Sequence, residues 1–280
     1  MTSAGESSIP FCDVTLARRL ERTEARCNAE FVEARASLFP DSGAKWIEVA
    51  GAYAMFDGPT SPCTQTFGLG LFETVTDAHL ATLEAFFREC GAPVFHEISP
   101  LADPALLPLL NERGYQPMEF TSVMFRPLAP QDRFTQPNNA RIQARLVRTD
   151  EQDCWADLAA KGWSASGELA DFVKVAGRIS AARPCAQLFI AHLDGRPVAT
   201  AALNLCDGVA HLAGASTIPE ARRQGAQLAL LEARLCYAAQ QGCDLVLFGA
   251  QPGSASQRNA QRHGFRIAYT RIKWQLAGPG

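Results

Sequence analysis

The fifteen residues TIPEARRQGAQLALL, Thr217 to Leu231, decide how this chain is read. The stretch runs from strand-like residues through a Pro-Glu turn and two arginines to Gly225, then opens directly into an apolar run of helical character. Such a loop brings uncapped backbone N–H groups and positive charge to one helix N-terminus, an arrangement that suits a phosphate. The same letters also fit an ordinary helix start with solvated arginines, so the flanking segments must decide.

Upstream, QLFIAHLDGRPVATAALNL (Gln187 to Leu205) is two apolar runs joined by Asp194-Gly195, a dipeptide that supplies the positive φ angles of a two-residue hairpin turn. VAHLAGAST (Val209 to Thr217) follows a further Asp207-Gly208 turn and completes an antiparallel meander. Downstream, Leu228, Leu231, Leu235 and Ala238 recur at helical spacing, and Gly242 stands where a C-terminal cap belongs. DLVLFGA (Asp244 to Ala250) is a buried strand reached by a helical crossover, and so is expected to lie parallel to the meander's last strand. SASQRNAQRHGF reads as a short helix ending at Gly264, and RIAYTRIKWQL as a closing strand.

The same order occurs earlier in the chain. Cys90 to Leu128 and Gln241 to Leu276 both run glycine, apolar strand, proline, short helix, Gly-aromatic, apolar strand, with 23 residues from Gly91 to Gly114 and 22 from Gly242 to Gly264. TFGLGLF (Thr66 to Phe72) as a strand and TDAHLATLEAFFREC as a capped helix mirror Val209 to Gln240. The pattern is that of a tandem duplication: residues 1–128, a Pro- and Asn-rich linker over 129–140, and residues 141–280. Where the second copy has PEARRQGAQ, the first has ETVTD, without glycine or arginine, so only the second copy is expected to hold a phosphate. His96, Glu97, Gly68 and Gly70 are assigned no chemistry.

Composition narrows the setting. The 280 residues are 47% apolar and 20% charged with a net charge of −3, which offers no general basic field for nucleic acid or an anionic membrane. Nine scattered cysteines without C-x-x-C spacing favour packing thiols in a reducing, cytoplasmic compartment over zinc or disulfides. The N-terminal MTSAGESSIPFCD lacks the pattern of a signal peptide, and the chain has no run of 18 apolar residues.

The order of meander, Arg-x-x-Gly-x loop, helix, parallel strand, short helix and final strand resembles the GNAT superfamily of acetyl-CoA-dependent N-acyltransferases. That resemblance implies a mixed α+β (or α/β) fold of two tandem GNAT-like domains, each a mostly antiparallel sheet flanked by helices with a splayed parallel strand pair. It implies that Arg222, Arg223, Gln224, Gly225, Ala226 and Gln227 bind the pyrophosphate of acetyl-CoA or coenzyme A, with pantetheine lying along Ala215, Ser216 and Thr217. Gln227 departs from the Gly or Ala usual at its position. Ser256 matches a coenzyme A contact of the family, while Gly253 replaces the usual Asn and Ala260 the tyrosine that would protonate the leaving thiolate. Eleven residues before Arg222, where relatives carry a carboxylate, stands His211, the candidate general base. Trp163, Ser164 and Glu168 fall in the acceptor-shaping region, though core packing for Trp163 and simple surface exposure for Glu168 fit equally well.

Three functional classes follow. The first is an N-acyltransferase moving acetyl to a primary amine, the acceptor a small molecule, in a monomer or homodimer without metal, nucleic acid or membrane partners. The second is a coenzyme A-binding or regulatory protein without catalysis. An unrelated nucleotide binder is disfavoured, because the chain has neither G-x-G-x-x-G after a first strand nor G-K-[ST].

Overall fold

The computed structural model describes residues 10–129, 132, 139–163 and 167–277, with the backbone alone over 167–172. The first half runs α1 (Val14–Leu38), β1 (Lys45–Val49), β2 (Ala52–Phe56), β3 (Gln65–Phe67), α2 (Asp77–Glu89), β4 (Phe95–Ile98), α3 (Leu106–Glu112) and β5 (Tyr115–Pro127). The second half runs β6 (Ile142–Leu146), α4 (Gln152–Gly162), α5 (Gly167–Ala181), β7 (Ala186–Leu193), β8 (Arg196–Cys206), β9 (Val209–Thr217), α6 (Ala226–Gln240), β10 (Leu245–Ala250), α7 (Ala255–Arg262) and β11 (Arg266–Leu276). The expected hairpin turns form, with Asp194 and Gly195 at φ 50° and 79° and Asp207 and Gly208 at 48° and 75°.

Among the described residues the eleven strands join one sheet, ordered β1-β2-β3-β4-β11-β5-β10-β9-β8-β7-β6. The two closing strands are exchanged between the halves. β11, at the end of the second half, pairs with β4 of the first, while β5 pairs with β10 of the second. β5 and β11 also pair with each other from Leu276↔Tyr115 to Arg266↔Phe125. Each half therefore completes the other's sheet, a pairing that sequence periodicity does not specify because either closing strand has the apolar pattern to suit either partner.

Each side of the sheet in the second half has its own core. Ala210 and Val246 pack with Leu230 and Leu235 of α6. Val209, Leu245 and Leu247, alternating with them, pack on the other side with Leu16 and Leu20 of α1. α5 contacts α1, and α4 is anchored where Trp155 Nε1 donates to the Phe189 carbonyl at 2.9 Å.

α1 was not legible as an amphipathic helix because its buried side carries charge. Leu16, Ala17, Leu20, Ala25, Ala29 and Val32 are buried, but so are Glu21 and Glu24. Both meet Arg271 of β11: its guanidinium lies 2.8 Å from each Glu24 oxygen and 3.3 Å from Glu21 Oε1, and its Nε lies 3.0 Å from Glu97 of β4. The Tyr269 hydroxyl adds a 2.9 Å bond to Glu21. Glu97 is thus a structural group, and His96 is buried against the Tyr115 hydroxyl at 3.0 Å.

One strand is shorter than expected. β3 ends at Phe67, and Gly68 and Gly70 turn the chain at φ 81° and 77°. The Gly70 carbonyl accepts from Asp103 N at 2.8 Å, and a Cβ on Gly70 would lie 3.0 Å from Leu106 Cδ2. The loop that follows β3 is therefore packed against the segment that follows β4, and a cavity of about 240 Å³ remains beside it, lined by Arg18, Gly70, Phe72 and Asp103 among others.

Candidate active site

β9 and β10 pair in parallel at only three positions, Leu245↔Val209, Val246↔Ala210 and Leu247↔His211. Beyond them β10 stays with β5 as far as Ala250↔Ser122, and β9 stays with β8 as far as Ala199↔Thr217. A register shift between Thr200 and Ala202 accompanies the parting. Between the diverging strands lies a groove of about 500 Å³, lined by Ala213 and Ala215 of β9, Gln227 and Arg234 of α6, Phe248 of β10 and Ser256 of α7, among others. Past the split, β9 offers backbone amide and carbonyl groups that have no strand partner on that side, the setting in which an extended ligand adds like a strand.

The glycine loop closes one end of this groove. Pro219 to Ala221 make a single 3-10 turn, Arg223 adopts a left-handed φ of 62°, and Gly225 sits at the N-cap of α6 with φ 93° and no side-chain cap. The first-turn N–H groups of α6 therefore point outward without a side-chain acceptor, as the sequence suggested. A Cβ at Gly225 would meet only Ile142 Cδ1, at 3.8 Å, so glycine is required here by its backbone conformation and not by packing inside the protein.

The two arginines divide. Arg223 and Gln224 are exposed at the loop, and Asn139 donates to the Gln224 carbonyl at 3.2 Å. Arg222 is also exposed but is held by the backbone: its Nε donates to the Thr217 carbonyl at 3.3 Å and its Nη2 to the Gly162 carbonyl at 3.0 Å, tying the loop to the end of α4. Ala226 is buried beneath the helix start. Gln227 is likewise bound into the frame, its amide donating to the Ser216 carbonyl and to Thr217 Oγ1, both at 2.8 Å. A glycine or alanine there could not pin α6 to β9 in this way.

Of the three β9 positions, Ala215 lines the groove. The Ser216 side chain turns away and is buried, bonded to Thr200 Oγ1 at 2.8 Å and donating to the Ala159 carbonyl at 3.3 Å. Ser256 faces the groove from α7, whose N-cap Ser254 accepts from Gln257 N. Trp163 lines the groove and is 47% exposed, so it is not a core residue. Ser164 lies outside the described residues, as does the side chain of Glu168 on α5.

His211 is the last β9 residue paired before the split and is nine-tenths buried, with Nδ1 lacking a hydrogen-bond partner. Burial holds its imidazole below the usual range; Glu24 across from it acts in the opposite sense, and Arg183 and Arg271 add to the lowering. The neutral ring is therefore the form present at pH 7. Gly249, next along β10 on the same side as Leu247, would bring a Cβ within 4.0 Å of Glu24 Oε1, so α1 of the first half reaches the mouth of the split. Sequence reasoning missed Arg234, Asn259 and Phe248, all lining the groove. The spacing of Leu231 and Arg234 on the α6 face that carries Leu228 and Leu235 was the available signal for the first of these.

Among the described residues no cluster of His, Cys, Asp and Glu is placed to hold a metal, and no helix is long and apolar enough to cross a membrane. No curated protein matches the chain in sequence. Residues 131–256 match the family model described as an acetyltransferase (GNAT) domain. Among solved structures, a GCN5-related N-acetyltransferase from Kribbella flavida aligns over 91% of this chain and 96% of its own at 21% identity and a TM-score of 0.60. A tandem GNAT protein from the clavulanic acid biosynthesis pathway aligns over 81% of this chain and 74% of its own at 14% identity and TM-score 0.56. A GCN5-related N-acetyltransferase from Sphaerobacter thermophilus aligns over 82% and 78% at 17% identity and TM-score 0.54. At these identities the structural likeness speaks to the fold alone, which is that of GNAT proteins, a tandem GNAT protein among them; the family-model match covers residues 131–256.

Proposed function

We propose that this protein is an N-acyltransferase that moves an acetyl group from acetyl-CoA to the primary amine of a small molecule, using the second half, residues 141–280 completed by strand β5, as its catalytic unit. The observation that carries the reading is the split between β9 and β10 leading from an uncapped, positively charged helix N-terminus. The residues present fit the cosubstrate. The first-turn N–H groups of α6, with Arg223 beside them, suit the pyrophosphate. The free edge of β9 near Ala215 suits the pantetheine amides, and Ser256 offers a further hydrogen bond. Arg222 and Gln227 serve by holding the loop in shape and not by direct contact.

In this reading the amine attacks the thioester carbonyl carbon, the C–S bond breaks, and the sulfur leaves with the electron pair. His211 does not itself line the groove, so the proton lost by the amine passes to its neutral ring through water. The first half lacks the glycine-arginine loop at the corresponding place, and in this reading it serves as scaffold and, through α1, as a wall beside His211.

Calorimetric titration of the full chain with acetyl-CoA and CoA, followed by thiol release against a panel of amino acids, polyamines and aminoglycosides, tests this. Binding plus acceptor-dependent release is the expected result. Binding without release for any amine would instead favour a non-catalytic coenzyme A protein, a reading to which Ala260 lends weight because it offers no proton donor. With an acceptor in hand, His211→Ala should lower kcat by 10²–10⁴-fold with CoA affinity kept, and unaltered turnover across pH would remove His211 as the base.

A further inference from the structure

Arg234 stands on α6, is 4% exposed, and has no carboxylate partner among the described residues. Its Nε donates to the Leu230 carbonyl at 3.1 Å and its Nη1 to the Ala202 carbonyl at 3.2 Å. Removing a guanidinium from water costs several kcal/mol, and two carbonyl dipoles offset only part of that, which is why buried charges are as a rule paired. Burial draws its pKa down to about 10, so the group remains charged at neutral pH.

Its position is what makes the missing anion informative. Ala202 is the cross-strand partner of Ala213, two residues beyond the last β9–β10 pair at His211. Arg234 is seven residues along α6 from Gln227, or about 10 Å at the helical rise. It therefore lies at the inner end of the groove, away from the phosphate-type loop. Leu212, Leu231, Phe248 and Ala260, which line the groove with it, are apolar, and no other groove-lining residue carries a charge. Glu232 on the same helix is placed 4.0 Å from His263, and Glu24 and Arg271 lie across the sheet behind Gly249, paired with each other.

We infer that Arg234 faces the thioester sulfur and stabilises the thiolate that leaves it. This rests on the N-acyltransferase reading and adds a named group to it. As nitrogen bonds to the acyl carbon and the C–S bond breaks, the electron pair and full negative charge collect on sulfur, and a cation already fixed in a dry site meets that charge without reorganising. The amine's proton leaves by the His211 side, so the product thiol can depart as the anion and no proton donor is needed at Ala260.

The test needs no acceptor. The ultraviolet absorbance of the CoA thiolate, followed against pH with CoA saturating the full chain, reports the ionisation of the bound thiol. In the wild-type protein the bound thiol should titrate at least about one unit below an ordinary thiol near 8.5, about tenfold more thiolate at pH 7. Arg234→Met should return it to the free value with desulfo-CoA affinity kept within about twofold, and Arg234→Lys should keep part of the shift. A wild-type bound thiol that titrates like free CoA overturns the assignment, whatever the variants do. Failure of CoA to bind at all would overturn the acyltransferase reading itself, so the two failures are distinct.

Discussion

Replacing Gly225 with glutamate tests the loop assignment most directly, because the structure separates its effect on folding from its effect on the ligand. A Cβ there makes only ordinary van der Waals contact, with Ile142 Cδ1 the nearest atom at 3.8 Å, so no clash arises. The cost to the fold is the left-handed backbone at φ 93°, about 1–2 kcal/mol for a residue with a side chain. A carboxylate at the N-terminus of α6 recovers about 0.3–1 kcal/mol of that from the helix dipole. The net loss of about 1 kcal/mol should lower the melting temperature by only about 2 to 4 °C. For the ligand the sign reverses. A carboxylate about 5 Å from a phosphate, at an effective dielectric of about 20, costs about 3 kcal/mol for each phosphate charge. The Kd for CoA should therefore rise at least about 100-fold, while Gly225→Ala, which brings strain without charge, should weaken binding by about tenfold or less. Calorimetry of CoA at fixed ionic strength, beside thermal melts of the unliganded variants, reads both quantities. Affinity within threefold of wild type in Gly225→Glu would refute the loop as the phosphate site. Collapse of the fold would refute the reading of Gly225 as unpacked.

Two further predictions concern how the site is held. Gln227→Ala removes two 2.8 Å bonds that pin α6 to β9, and should cost about 1–3 kcal/mol in denaturant unfolding and weaken CoA binding by loosening the loop; unchanged stability with unchanged CoA affinity would refute its role in holding the loop. Glu21 is pushed up to about 7 by burial, ahead of the opposing pull of Arg271. Its folded-state pKa exceeds its unfolded value, so the native chain retains a proton that the unfolded chain releases, and its contribution is fully present below about pH 4.5 and lost as pH rises through about 7. Glu21→Gln should flatten that decline between pH 5 and 8, and an unchanged pH–stability slope would refute the protonated state.

The meander, the parallel return strand, the glycine loop and the duplication were legible because each rests on local chemistry. Asp-Gly turns force hairpins, the 3.6-residue period marks α6, and equal Gly-to-Gly intervals mark repeated units. The family resemblance pointed to Ala215, Gln227, Ser256 and Trp163, and all four line the groove. The sequence alone could not show which way a polar side chain turns. Arg222 and Arg223 are exposed neighbours of identical chemistry, yet Arg222 is bound to the Gly162 carbonyl 60 residues away. Arg234 reads as one charge on a helix until the sheet places it against Ala202 without an acid. Nor could periodicity show the exchange of β5 and β11, since strand patterns specify an apolar face and not a partner. That exchange is decided by long-range pairing, and it brings Arg271 of the last strand to Glu21 and Glu24 of the first helix. Local sequence thus determined the parts of this protein, the glycine loop before α6 among them. The tertiary structure decided which charges are buried, which are paired, and how the first half comes to stand beside the second half's site, because those outcomes depend on contacts between residues up to 250 positions apart.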